Sequence, residues 1–196
     1  MAAGRLSANG ILGDTPVAVL AAAELGGSGS IDGPVSIAAA ATFAYEVDST
    51  NPLSLGSAAD LLVVSGDLNL DSGNASLLTL ADLASSVQPF VEDTTIFAMI
   101  NYSGAWNGGL FTYGGNVLSD GERFYAGSQM WEIDYNRTSA TGLDNFTADY
   151  LPSSSFVTVT AVPEPSTLVL MAIGAGVAAV AARQRHASGR HCRTGG

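Results

Sequence analysis

The side chains that could act as acids or bases in most of this sequence are carboxylates. The candidates along the chain are Asp60, Asp67, Asp71, Glu122, Glu132 and Asp134. Two carboxylates cleave a glycosidic bond when folding places them on either side of a sugar, even if they are distant in sequence. Stabilising an acidic sugar would also require cations, and only Arg123 and Arg137 lie near these residues. We therefore interpret the carboxylates as solvated outward-facing groups and predict no enzyme activity. The alternative is a carbohydrate-active enzyme or a polysaccharide binder.

Histidine and thiolate chemistry is confined to the end of the chain. The two histidines and the single cysteine are His186, His191 and Cys192. A Ser–His–Asp set therefore cannot form in the body of the protein. Residues 67–73 superficially match a calcium loop, but Ser72 replaces the required glycine and Leu78 replaces the required glutamate. We predict no metal site and no cofactor, and weak calcium binding elsewhere on the acidic surface stays open.

Charge divides the sequence into two unequal parts. Residues 1–162 contain seventeen acidic side chains and three arginines, a net charge of −14, whereas the residues after Ser166 contain four arginines and no acid. Binding to nucleic acid depends on neutralising phosphates with Lys and Arg. An acidic body without lysine is therefore not expected to bind DNA or RNA.

The pattern of apolar residues predicts an all-β body. Residues 1–80 contain short apolar runs separated by Gly, Asp and Ser, and residues 81–161 contain longer, more aromatic runs, which are typical of strands joined by turns. Large and acidic side chains alternate over residues 131–135, as in a half-buried strand. Stacked solenoid coils fit the short spacing, although a sandwich is also compatible with it. Residues 75–84 are also compatible with a short helix, because Leu77, Leu80, Ala81 and Leu83 partly fit helical spacing.

An apolar run near the C-terminus predicts a membrane segment. Residues 167–182 carry no charge, and Arg183 and Arg185 follow directly. A helix of this length rises about 24 Å, which is short of a hydrocarbon core of about 30 Å. The arginines nevertheless favour a transmembrane helix with its C-terminal end in the cytoplasm over the alternative, a buried soluble helix.

The order of segments at this end resembles the PEP-CTERM sorting signal, a region also labelled an ice-binding protein C-terminal domain. The sorting motif is formed by Pro163, Glu164, Pro165 and Ser166. The resemblance implies recognition by an exosortase in the inner membrane, processing near the motif, and a setting of exopolysaccharide synthesis. The two prolines would keep the motif extended, Glu164 would offer a charge to the enzyme, and Arg183 and Arg185 would form the membrane stop. Thr158 and Thr160 form a single Thr-x-Thr pair, so ice binding is not expected.

The body is similar to autotransporter-associated β-strand repeats, in particular over residues 23–37, 60–70 and 131–135. This resemblance implies a right-handed parallel β-solenoid displayed outside the inner membrane. The predicted divisions are solenoid-like coils at 1–80, a β-rich terminal region at 81–161, the sorting signal at 162–185 and a basic disordered tail at 186–196.

Together these patterns predict an exported, non-enzymatic structural or adhesion protein of the cell surface or extracellular matrix. Its expected partners are an exosortase, the inner membrane and exopolysaccharide. Residues 1–5 lead into no adequate signal peptide. We therefore expect the chain to be part of a longer gene product.

Overall fold

The computed structural model describes residues 4–50, 59–84, 90, 95–145 and 154–163. These residues form β-strands and no helix. The strands are β1 Gly4–Ser7, β2 Ile11–Leu12, β3 Val17–Val19, β4 Ala23–Gly26, β5 Ser30–Ile31, β6 Val35–Ile37, β7 Thr42–Val47, β8 Leu62–Val64, β9 Leu68–Leu70, β10 Ser76–Asp82, β11 Ile96–Tyr102, β12 Phe111–Tyr113, β13 Asn116–Val117, β14 Arg123–Ala126, β15 Gln129–Arg137 and β16 Ser155–Val162. The prediction of an all-β body is confirmed.

Strands in the first two thirds of the body pair in parallel with the strand three elements later. One series is β1-β4-β7-β10, a second is β2-β5-β8-β11, and a third is β3-β6-β9. After β9, Trp106 continues the third series through a parallel bridge to Leu68. Three consecutive strands therefore lie in three different sheets, and the next three stack directly on them.

Stacking places equivalent apolar side chains in columns. In the first sheet the column contains Leu6, Leu25, Phe43 and Leu78, which are register partners from strand to strand. Leu25, Phe43 and Leu78 are buried, and Leu6 is partly buried. Similar side chains stacked at the strand spacing of about 4.8 Å exclude water from the interior. The core of the body is the set of these columns.

The far end of the body is closed by antiparallel strands. β13 turns back on β12, while β16 pairs with both β11 and β15, and β14 forms the outer edge. Trp131, Ile133 and Tyr135 on β15 are buried, and Glu132 and Asp134 between them are partly exposed, as the alternation predicts. The sheets are therefore mixed, not wholly parallel.

The structure decides against the short helix that the sequence allowed. Residues 75–84 do not form a helix, because β10 pairs in parallel with β7 over six residues. The described residues from Gly4 to Val162 belong to one compact unit. The residues that the structure describes include no membrane-spanning helix. The predicted transmembrane helix at 167–182 and the tail at 186–196 lie outside these residues.

Candidate functional site

The sorting motif begins where the last strand of the body ends. β16 lies between β11 and β15, and Val159 at its centre is the register partner of Phe97 on one side and Ile133 on the other. Val157, Val159 and Ala161 are fully buried. The strand is therefore held on both edges and covered by side chains.

The local sequence explains where β16 starts and stops. Residues 156–162 are Phe-Val-Thr-Val-Thr-Ala-Val, and β-branched and aromatic residues favour a pleated, buried strand. Proline follows at 163, where its ring removes the backbone donor that further pairing would use. Pro163 is half-buried. No linker separates the last strand residue, Val162, from the first residue of the motif.

Gln129 holds the end of this strand, a role that no sequence pattern indicates. Its amide nitrogen donates to the carbonyl oxygen of Val162 at 3.4 Å and to that of Met130 at 3.0 Å. The neighbouring Ala161 nitrogen donates to the Thr95 carbonyl oxygen at 3.0 Å. The strand therefore stays fixed up to its final residue.

The other predicted residues of the sorting signal lie outside the described part of the chain. They are Glu164, Pro165, Ser166, Arg183 and Arg185. Their predicted roles stay predictions, and Pro163 is the residue through which the structure locates the motif.

Most of the candidate acid–base residues bind nearby backbone or an arginine. Asp67 accepts from the Ala105 nitrogen at 2.7 Å, Asp71 from the Ala75 nitrogen at 3.2 Å and Asp134 from the Asn136 nitrogen at 2.9 Å. Glu132 pairs with Arg123 at 2.8 Å, and Glu122 is exposed. These contacts stabilise turns and strand pairs.

The calcium-loop match does not form a loop. Residues 68–70 are strand β9, so Asp67 and Asp71 lie at its two ends, about 13 Å apart at the usual rise of a strand. Among the residues that the structure describes, no group of three or more His, Cys, Asp or Glu side chains is arranged to hold a metal ion.

Asp60 has the least ordinary environment of the candidate carboxylates. Its Oδ1 accepts from the Ser28 hydroxyl at 2.9 Å, while its Oδ2 is buried and makes no hydrogen bond. Burial raises the pKa of the Asp60 carboxyl, Glu46 nearby raises it further, and the Ser28 hydrogen bond lowers it. A raised pKa suits a general acid. However, the free oxygen is enclosed by protein, where a substrate would not reach it.

Comparison with known proteins supports the motif and nothing else. The PEP-CTERM protein-sorting motif matches residues 161–185, so the match starts on the last two residues of β16. Neither the search of curated proteins nor the search of solved structures returned a match. The similarity to autotransporter-associated repeats and the ice-binding label gain no support from these comparisons. PEP-CTERM signals are recognised by exosortase, a membrane processing enzyme, so the motif indicates a protein that is processed at the membrane and exported to the cell surface.

Proposed function

We propose that this chain is a non-enzymatic structural or adhesion protein of the cell surface or extracellular matrix, retained at the inner membrane until an exosortase processes its tail. The observation that carries the proposal is the PEP-CTERM match at 161–185, which starts on the last two residues of β16. In this proposal the residues of the sorting motif are substrate determinants and not catalysts.

The body suits display outside the membrane. We infer that its three parallel series form a short β-solenoid, whose stacked coils present an extended surface. Its net charge of −14 over residues 1–162 disfavours contact with anionic lipid headgroups. In this proposal the apolar run at 167–182 crosses the membrane, and Arg183 and Arg185 stay in the cytoplasm.

Expression with an export signal in two hosts, one with and one without the exosortase, tests the proposal. We expect a shorter mature chain in the first host only, and a full-length chain when Glu164 is replaced by alanine together with both motif prolines. The control is Glu122→Ala, which removes an exposed glutamate from the body. A chain of full mass in both hosts would contradict the proposal.

A carbohydrate-active enzyme is the second candidate, because Asp60 combines a raised pKa with a neighbouring acid, Glu46. We rank it lower because Asp60 Oδ2 is enclosed. Incubation of the purified chain with exopolysaccharide of the host discriminates between the two. Depolymerisation of the polysaccharide that is lost in Asp60→Asn would favour the enzyme. Binding of the polysaccharide without its cleavage would favour a binding protein.

A further inference from the structure

We propose that β16 sets the N-terminal limit of processing, so that the mature protein ends at Pro163 or later and keeps the whole strand. The inference deepens the proposed function and rests on it for the identity of the enzyme. In the reaction, one amide C–N bond breaks and its nitrogen gains a proton. The acyl carbon gains the hydroxyl of water or the nitrogen of an amine acceptor.

Both edges of β16 are occupied up to Ala161, whose nitrogen donates to the Thr95 carbonyl oxygen, and Val162 is paired on its β15 edge. A processing enzyme must reach the scissile amide, and extended peptides are commonly bound through their free backbone donors and acceptors. From Phe156 to Thr160 the strand is paired with β11, and from Phe156 to Val162 it is paired with β15. While the sheet is intact, an enzyme cleft therefore cannot pair with the backbone of residues 156–161 along either edge, or with Val162 along its β15 edge.

Side-chain burial strengthens this protection. Val157, Val159 and Ala161 are inaccessible to solvent, because they pack in the main core of the body. Withdrawing the strand would expose this surface and the faces of both neighbouring strands. Its free-energy cost would be comparable to that of unfolding the domain.

The protection reaches the boundary of the motif. Val162 is 2% exposed, pairs with Met130, and its carbonyl oxygen accepts from Gln129 at 3.4 Å. The carbonyl side of the Val162–Pro163 amide is therefore held by the Gln129 side chain. The first peptide bond beyond this contact joins Pro163 to Glu164.

The matched region nevertheless includes Ala161 and Val162. We infer that these two residues belong to the closing strand of the body, and that the enzyme acts on the residues after them. Processing then releases a body with every strand in place, and its stability does not depend on when the cut occurs.

The test is the C-terminal residue of the full chain, exported and purified from a host that contains the exosortase and mapped by mass spectrometry. Mature ends at Pro163 or beyond support the inference, and an end at Val162 or earlier overturns it. The mass of the terminal peptide also distinguishes hydrolysis from transfer to an amine. If the purified chain has the same mass with and without exosortase, the proposed function is rejected, and the inference about β16 is then decided by the measurement below.

A second measurement decides the inference without exosortase. The folded full chain is treated with a protease of broad specificity, beside a variant with six Gly and Ser residues inserted between Val162 and Pro163. We expect cuts in the insert and none from Ser155 to Val162. Cuts in the insert would show that the protease reaches the end of β16, and their absence from Ser155 to Val162 would show that the strand itself is protected. Cuts within β16 under native conditions, at a rate within tenfold of those in the insert, would overturn the inference.

Discussion

At the turn between the third and first series of strands, the backbone adopts a left-handed conformation once per coil. The residues are Ala22, Ala40, Asn74 and Gly108, with φ from 55° to 81°. Only glycine adopts this conformation without a steric cost, and asparagine tolerates it better than alanine. The two alanines are therefore strained positions that the stacking of coils imposes.

Ala40→Gly should stabilise the protein for this reason. Relief of about 1–2 kcal/mol of left-handed strain outweighs the 0.5–1 kcal/mol entropy cost of glycine, so we expect a gain of roughly 0.5–1 kcal/mol in the free energy of unfolding. Urea denaturation measures it. The matched control is Ala39→Gly, since Ala39 is also exposed but has no positive φ. The control should lose stability, and a loss in both variants would contradict the argument.

Asp60 should make stability depend on pH. Burial raises its folded pKa above the ordinary value, so the unfolded state releases this proton first as the pH rises. The group's stabilising contribution is complete below its unfolded pKa and is lost as the pH passes through the folded pKa. From pH 4 to pH 7, wild type should therefore lose stability relative to Asp60→Asn in urea titrations. Exposed Asp14→Asn is the control, and parallel pH profiles for wild type and Asp60→Asn would refute the expectation.

At the scale of elements, residues 138–145 form a strap whose last two residues bind β11. Asn145 is buried, its Oδ1 accepts from the Ala98 nitrogen at 2.8 Å, and its amide nitrogen donates to the Ala98 carbonyl oxygen at 2.8 Å and that of Asp60 at 2.9 Å. The pairing of β11 with β16 is irregular just after Ala98. The amide therefore satisfies backbone groups at an irregularity in the sheet.

Asn145→Ala should destabilise the protein by about 3 kcal/mol, because each buried group left without a partner costs about 1–3 kcal/mol. Asn116→Ala on exposed β13 is the control and should change stability little. Chemical denaturation of both variants provides the comparison. Equal unfolding midpoints would mean that the strap does not hold the strand.

The turn between the second and third series also tolerates little change. A Cβ atom on Gly66 would lie 2.7 Å from the Pro34 nitrogen and 2.9 Å from the Gly33 carbonyl carbon, in the turn of the preceding coil. Gly66→Ala should therefore cost about 1–3 kcal/mol, as overpacking does. Gly13→Ala is the matched control, because nothing lies within 4 Å of its Cβ position. Thermal unfolding of the two variants should differ, and similar midpoints would argue against close stacking.

These elements show what the sequence could predict. Strand content followed from apolar alternation, as residues 131–135 illustrate. The coil repeat was hidden, because the stacked residues 6, 25, 43 and 78 are separated by 19, 18 and 35 positions. A helix was possible at 75–84 because Leu77, Leu80 and Ala81 fit helical spacing locally, but pairing with β7 makes these residues a strand. Long-range pairing of this kind leaves no local signature.

For the whole molecule, the location of the sorting signal could be predicted because its order of segments is contiguous in sequence. The contacts that hold the residues next to the signal could not be predicted from the sequence. Gln129 lies 33 positions before Val162, and only the pairing of β15 with β16 brings the two residues together. The limit that we propose for processing therefore depends on tertiary structure, even though the signal itself is linear.

Net charge leads to a prediction for the entire body. Seventeen acids and three arginines give residues 1–162 a charge of −14. In the described part of the chain the ion pairs are Arg5 with Glu24 and Glu46 and Arg123 with Glu132, all partly exposed and therefore weak. Repulsion among carboxylates should outweigh them. Raising NaCl from about 10 mM to about 150 mM shortens the screening length from about 30 Å to about 8 Å.

We therefore expect the unfolding temperature to rise with salt by about 2–4 °C, which corresponds to roughly 1 kcal/mol for a domain of this size. The double variant Asp14→Lys and Asp32→Lys replaces two exposed acids and lowers the net negative charge by four. Its response to salt should be smaller than that of wild type, because less repulsion is left to screen. Calorimetry of both chains at the two salt concentrations measures the difference. A fall in unfolding temperature with salt would instead show that the few ion pairs dominate the electrostatics of the fold.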